Sequence, residues 1–342
     1  MESSRARRSR ARIPRRRPLL RTALTTVAVL GATAGGTVYV RAQAGPGTGA
    51  VSSSSVTSSA SVSGPGNGKV SVESVAAPEK DYDTLLASAL RSVAVPGDAA
   101  VAAAVLDLDS GAGAAYGGAA FDTASIVKVD ILATLLLQAQ DAGRYLTAAE
   151  KTYATAMIEN SDNDSASALW RIIGGAKGLD AANERFGLTG TSGGDDMLWG
   201  LTQTTAADQL TLLRQVFGDE SELSEAARTY VQGLMGQIAA DQRWGVSAAA
   251  DGSSWALKNG WLARSTTGLW DINSIGRVTV AGHDCLVAVL SDGNATQAAG
   301  ISLVEQVAKA AVSAFRGDGA SASSSASASS SPSASASSAA DE

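Results

Sequence analysis

One cysteine and one histidine in 342 residues remove several kinds of chemistry at the outset. A lone Cys285 cannot close an internal disulfide. Its setting, Asp284-Cys285-Leu286-Val287-Ala288-Val289-Leu290, is that of a small apolar core residue rather than a reactive thiol. With one residue of each kind no Cys/His zinc cluster can form, and no metal or other cofactor is expected. Lysine is scarce too: there are seven, and only Lys128 has a serine three residues before it. Positive charge is concentrated at the start, where residues 1–44 hold ten arginines and a single acid, Glu2. The remainder carries 17 basic against 32 acidic residues, about 15 net negative charges. Such a surface repels polyphosphate, so nucleic acid is not an expected partner.

The two ends are unlike the middle. After the arginines comes an apolar stretch over residues 19–40 and then Ala42-Gln43-Ala44, the order of a secretory signal cleaved after Ala44. The run Arg16-Arg17-Pro18-Leu19-Leu20-Arg21 resembles a twin-arginine export signal. The alternative is an uncleaved membrane anchor, since roughly 20 apolar residues suffice to span a bilayer. Both place the bulk of the protein outside the cell, as an exported or envelope protein. Residues 45–77 and 318–342, rich in Ser with Gly or Ala, show no periodicity and are expected to be a flexible linker and a disordered tail. Residues 78–317 have the length of one domain, expected to be monomeric.

Within that domain, hydrophobic periodicity predicts a helix over 81–93, a strand over 100–108 and a short strand near 115–116. Helices follow: one carrying Ser125, capped by Asp122 or Thr123 and ending at Gly143, and one opened by the capping box Thr147-Ala148-Ala149-Glu150. A third is capped by Asp164, and others fall at 179–186, 206–217 and 222–238. Strands return at 254–258, 269–275, 276–280 and 284–290, with Gly282-His283 as a turn, and a helix over 303–315 closes the domain. Strands at both ends and helices between them imply an α+β fold. Its antiparallel sheet is built from the N- and C-terminal parts, flanked by helices, with a helical subdomain inserted and a cleft between the two.

Three short motifs carry the chemistry. In Ser125-Ile126-Val127-Lys128 everything around the lysine is apolar. A buried ammonium is costly and its pKa falls, so the amine can take the proton of a hydroxyl one helical turn away and activate Ser125 as a nucleophile. Ser125 falls in a first helical turn, where its own unpaired N–H offers an oxyanion donor. Ser161-Asp162-Asn163 reads either as a polar interhelical turn or as a proton-relaying hydroxyl, Ser161, with an amide, Asn163, that aligns a substrate carbonyl. Lys258-Asn259-Gly260-Trp261 reads either as a solvated lysine or as a strand end where Gly260 admits a ligand backbone.

In this order the motifs resemble the Ser-x-x-Lys, Ser-Asp-Asn and Lys-Thr-Gly signatures of class A β-lactamases and the related penicillin-recognising D-alanyl-D-alanine peptidases. The resemblance implies an acylated Ser125, Lys128 as general base, Ser161 as proton relay and Asn163 as a substrate-amide contact. It also implies Lys258 as a positive wall for a substrate carboxylate, Asn259 and Gly260 next to it as substrate contacts, and the N–H of Trp261 as second oxyanion donor. His283 lies in a predicted turn far from these motifs, against a Ser-His-Asp triad. Two departures stand out: Asn259 replaces a hydroxyl residue, and the loop Gly193-Gly194-Asp195-Asp196-Met197-Leu198-Trp199-Gly200-Leu201 has no Glu to activate a deacylating water. Glu184 falls inside a predicted helix, and Asp195 and Asp196 suit a turn. The implied function is a serine hydrolase acting on β-lactams or D-alanyl cell-wall peptides. The alternatives are a non-catalytic or slowly deacylating penicillin- or peptidoglycan-binding protein, and a serine glutaminase.

Overall fold

The apolar runs at both ends of the domain pair with each other. A computed structural model describes residues 80–252 and 254–326. The signal, linker and distal-tail expectations for 1–44, 45–77 and 327–342 lie outside the described residues. Helix α1 (Tyr82–Leu90) leads into β1 (Ala100–Asp107), β2 (Gly113–Tyr116) and the two-residue β3 (Phe121–Asp122). Helices α2 (Val127–Asp141), α3 (Ala148–Glu159), α4 (Asn163–Ile173) and α5 (Gly175–Phe186) follow. A short β4 (Gln203–Thr204) pairs with β3, and α6 (Ala206–Phe217) and α7 (Glu225–Met235) complete the helical insertion. Strands β5 (Trp255–Ala263), β6 (Trp270–Val280) and β7 (His283–Asn294) and helix α8 (Gln297–Ala326) end the described chain.

The main sheet is antiparallel in the order β2-β1-β7-β6-β5, so β1 pairs along its length with β7 (Ala104 opposite Ala288) and β5 forms an edge. This is the α+β arrangement expected. The sheet is covered on both faces, which is why β1 and β7 read as continuous apolar runs rather than alternating ones. Leu286, Ala288 and Leu290 join the core under the inserted helices, where α6 packs on β7, while Val287, Val289 and the buried Cys285 face α8. Helix α2 is the centre of the first layer: every residue from Val127 to Leu137 is buried.

Several boundaries differ from the sequence expectation for identifiable reasons. The predicted strands 269–275 and 276–280 are one strand, because Gly276 sits inside the sheet, where a Cβ would fall 2.3 Å from Ala256 O. The β6–β7 turn is Ala281-Gly282, both at positive φ, rather than Gly282-His283. Helix α4 is capped by Asp162, whose Oδ2 accepts from Ser165 N at 2.7 Å, rather than by Asp164. Helix α8 starts before 303 and continues past 317, to Ala326.

The Thr147–Glu150 capping box is present: Thr147 Oγ1 accepts from Glu150 N (3.2 Å) and Glu150 Oε2 accepts from Thr147 N (2.7 Å). Arg144 holds the same carboxylate. Thr147→Ala is expected to lower unfolding stability by about 1 kcal/mol in a urea melt. An unchanged midpoint would show that the box contributes nothing.

Candidate functional site

Ser125 does not sit in the regular helix the sequence suggested. It is the middle residue of a 3-10 turn, Ala124–Ile126, that has no side-chain cap and runs into α2 at Val127. Neither expected cap acts on this turn: Asp122 pairs with Arg264 and accepts from Gln203, and Thr123 Oγ1 is buried with no hydrogen-bond partner. Ala124 has φ +46°, a left-handed conformation that costs a residue with a Cβ roughly 1–2 kcal/mol. What holds it there is backbone packing. The Asn273 amide donates to the carbonyls of both Asp122 and Thr123 (2.9 and 3.0 Å), and Thr123 N donates to Thr202 O. A Cβ on Gly260 would fall 2.7 Å from Thr123 O and 2.8 Å from Ser125 N. The glycine thus makes room for the serine's own turn, where the sequence reading had it admitting a ligand.

Lys128, one turn on, is fully buried. Its Nζ donates to Ser161 O (2.6 Å), Asn163 Oδ1 (2.7 Å) and Ser161 Oγ (3.0 Å). No hydrogen bond among the described residues joins it to Ser125. Ser161 also has positive φ, +55°, and presents its carbonyl and its hydroxyl to the same amine. From the opposite wall Lys258, within β5 rather than at its end, donates to Ser161 Oγ at 3.0 Å and to Asn259 O at 2.9 Å. Two buried amines therefore meet at one hydroxyl. Burial pushes the Lys128 amine down to about 7 against a smaller upward pull from Asp162. Lys258 is driven well below its ordinary value by burial and then by the charge of Lys128. The two cannot both stay charged at neutral pH.

The structure thus brings Ser125, Lys128, Ser161, Asn163, Lys258 and Gly260 to one place. Asn259 is an exception. Its side chain is 1% exposed and donates to Gln242 O (2.7 Å) and Trp244 O (3.0 Å), so its amide is unavailable to a substrate. Lys258 is also fully buried, with its amine directed to Ser161 Oγ and Asn259 O, so it forms no open positive wall. The Trp261 ring packs toward the α8 side beside Trp244, at 6.1 Å between ring centroids. Its backbone follows the glycine that abuts Ser125.

Two contributors were missed by sequence reasoning. Asn273 is one of several polar residues in β6, beside Asp271, Ser274, Arg277 and Thr279, a pattern with no distinct signal. Trp199 was read only as part of a loop lacking Glu; its ring lies 5.0 Å from Lys128 Nζ, and its Nε1 donates to Ser167 Oγ. Asp195 and Asp196 serve the loop through their carbonyls, which accept from Leu198 N and Trp170 Nε1. Glu184 is exposed on α5.

Residues 149–315 match the model of a family described as the beta-lactamase enzyme family, a span that includes Ser161 and Lys258 and begins after Lys128. Among solved structures the chain is similar to PBP-A, with 21% identity over 68% of this chain and 96% of that one and a TM-score of 0.59. A PBP-A mutant in an acyl-enzyme complex with penicillin G gives 22% identity, 68% and 97% coverage and a TM-score of 0.59. The TLA-3 extended-spectrum beta-lactamase gives 15%, 68% and 98%, and 0.60. At these identities the likeness is one of fold. A comparison with curated proteins finds no match.

Gly260→Ala forces β5 and the serine turn apart. It is expected to destabilise the domain by about 1–3 kcal/mol in denaturant melts, and a neutral result would show that the turn yields without cost.

Proposed function

Starting from a chain of β-lactamase-like family and fold, we propose an exported, monomeric serine hydrolase that is acylated at Ser125 and acts on β-lactams or D-alanyl-D-alanine cell-wall peptides. The observation that carries the proposal is the convergence of the Lys128 and Lys258 amines on Ser161 Oγ, next to the strained turn that presents Ser125. Export rests on the pattern of residues 1–44, and small-molecule or peptide substrates rather than nucleic acid on the acidic remainder.

In the proposed reaction neutral Lys128 takes the Ser125 proton as Oγ attacks the substrate carbonyl carbon. At rest the amine is held by Ser161 and Asn163, so the hydroxyl has to turn toward it when substrate arrives, a tightening common in such sites. The oxyanion is received by the N–H groups of Ser125 and Trp261. Ser161, hydrogen-bonded to both amines, passes a proton to the leaving nitrogen. Asn163 gives Oδ1 to Lys128, which leaves its amide nitrogen for a substrate carbonyl. Asn259 takes no direct part.

Release of the acyl group is the weak step. Positioned general-base help is worth ~10²–10⁴-fold, and in this loop the side chain over Lys128 is an indole in place of a carboxylate. This favours the second reading, a long-lived acyl-enzyme in a protein that binds penicillin or peptidoglycan peptide rather than turning it over.

Intact-mass spectrometry after mixing with benzylpenicillin is expected to show one stoichiometric adduct that decays over hours. Ser125→Ala should give none and Lys128→Ala a strongly reduced rate; equal labelling of wild type and Ser125→Ala excludes the reading. Because the reacting amine must be neutral and burial sets it to about 7, the acylation rate should rise with pH through about 7 and level off above. A rate independent of pH between 5.5 and 8.5 would remove Lys128 as the base.

A further inference from the structure

The interface between α2 and α5 holds polar groups that the proposed reaction does not use. Asp130, Thr134 and Asn183 are 1%, 0% and 1% exposed. Both Asp130 carboxylate oxygens, the Thr134 hydroxyl and both ends of the Asn183 amide are buried without an aligned hydrogen-bond partner. Asp130 and Thr134 are four residues apart and share one stripe of α2. Asn183 comes from α5 and is near enough to act on the Asp130 carboxyl, though misaligned for a full hydrogen bond. The charged groups that act on Asp130 are Asp180 of α5 and Asp208 of α6, both acidic; none on α3, α4 or α7, the other helices packed on α2, does so. Lys128 lies two positions earlier, about 200° around the helix, and is committed to Ser161 and Asn163.

An ionised carboxylate in that place is desolvated, unpaired and beside two more acids. A carboxylic acid fits: its O–H can donate to Asn183 Oδ1, and its carbonyl can accept from Asn183 Nδ2 or Thr134 Oγ1. The same two acids hold the loop that carries Trp199. Asp180 Oδ1 accepts from Gly193 N (2.7 Å), and Asp208 Oδ2 accepts from Gly190 N (2.8 Å) and Thr191 Oγ1 (2.7 Å).

We propose that Asp130 is a proton-dependent latch between α2 and α5: as the neutral acid it closes a network with Thr134 and Asn183, and on ionising it loosens α5 and the loop that lays Trp199 over Lys128. Asp130 is thus a positioning residue, and its consequence for acylation rests on the role proposed for Lys128. Burial pushes its carboxyl up to about 7, with the negative charges of Asp180 and Asp208 adding to the rise. Since this lies above the unfolded value of 3.8, its stabilising contribution is full below about pH 4 and lost as pH rises through about 7. Lys128, shifted the other way, acts between about 7 and 10.5, where a rise in pH restores stability. Asp271 is also raised, so the comparison of variants isolates Asp130.

The test uses the full chain carrying Ser125→Ala, which separates the latch from acyl chemistry. From pH 4.5 to 8 its melting temperature should fall, and the protection factors of the Gly190 and Gly193 amides, corrected for the base-catalysed intrinsic rate, should drop about tenfold or more. Adding Asp130→Asn should remove most of that slope and raise the melting temperature at pH 8. An unchanged slope, or a lower melting temperature at pH 8 than the parent, overturns the latch. If Asp130→Asn does not fold, carbon-13 titration of Asp130 in the parent decides: a midpoint near 7 supports the latch and one near 4 overturns it. Penicillin labelling of the Ser125 protein is read separately. If labelling is absent while the melts behave as expected, the acylation reading falls and the latch stands.

Discussion

Two fully buried amines share one hydroxyl, and the arrangement around Ser125 depends on that sharing. Neither Lys128 nor Lys258 has a carboxylate hydrogen-bonded to it among the described residues. Both are stripped of water, and both are directed at Ser161 Oγ. The loss of hydration lowers the affinity of each for a proton, and the charge of Lys128 adds to the effect at Lys258, which is the condition for an amine to act as a base near neutral pH. The fold supplies this condition from three separate elements: a helix from the inserted layer, a turn between α3 and α4, and the edge strand of the sheet.

Two of the four non-glycine residues at positive φ among the described residues lie at the same place. Ala124 and Ser161, one before Ser125 and one beneath Lys128, are both left-handed without being glycine. Each is held by surrounding hydrogen bonds rather than by local preference: Asn273 grips the segment before Ser125, and Asp162 starts α4 immediately after Ser161. Strain sustained in this way keeps two reactive groups oriented without ligand present. The loop over Lys128 is anchored to α4 and α6 by two hydrogen bonds each and to α5 by one, so its position reports on how those helices pack.

Much of the frame was legible in the chain. The alternation of strands, helices and strands implied the sheet, and the continuous apolar stretch from Val127 to Leu137 implied a central helix, because both patterns are properties of neighbouring residues. The Thr147–Glu150 box was legible for the same reason. Boundaries failed where a distant contact decided them. Gly276 looked like a break and proved to be a point where β5 approaches β6 closely. Asp164 looked like a cap, yet Asp162 had the geometry. Asn259 looked like a substrate contact until the carbonyls of Gln242 and Trp244 claimed its amide.

The sequence by itself determined which groups are chemically able to react: a serine and a lysine at helical spacing in apolar surroundings, a second lysine before a glycine, and no histidine near them. The tertiary structure decided which of these groups meet. Lys128 and Lys258 are 130 residues apart, and only the packing of the inserted helices on the edge strand brings them onto Ser161. Burial of that junction, which no local pattern encodes, is what lowers their proton affinity.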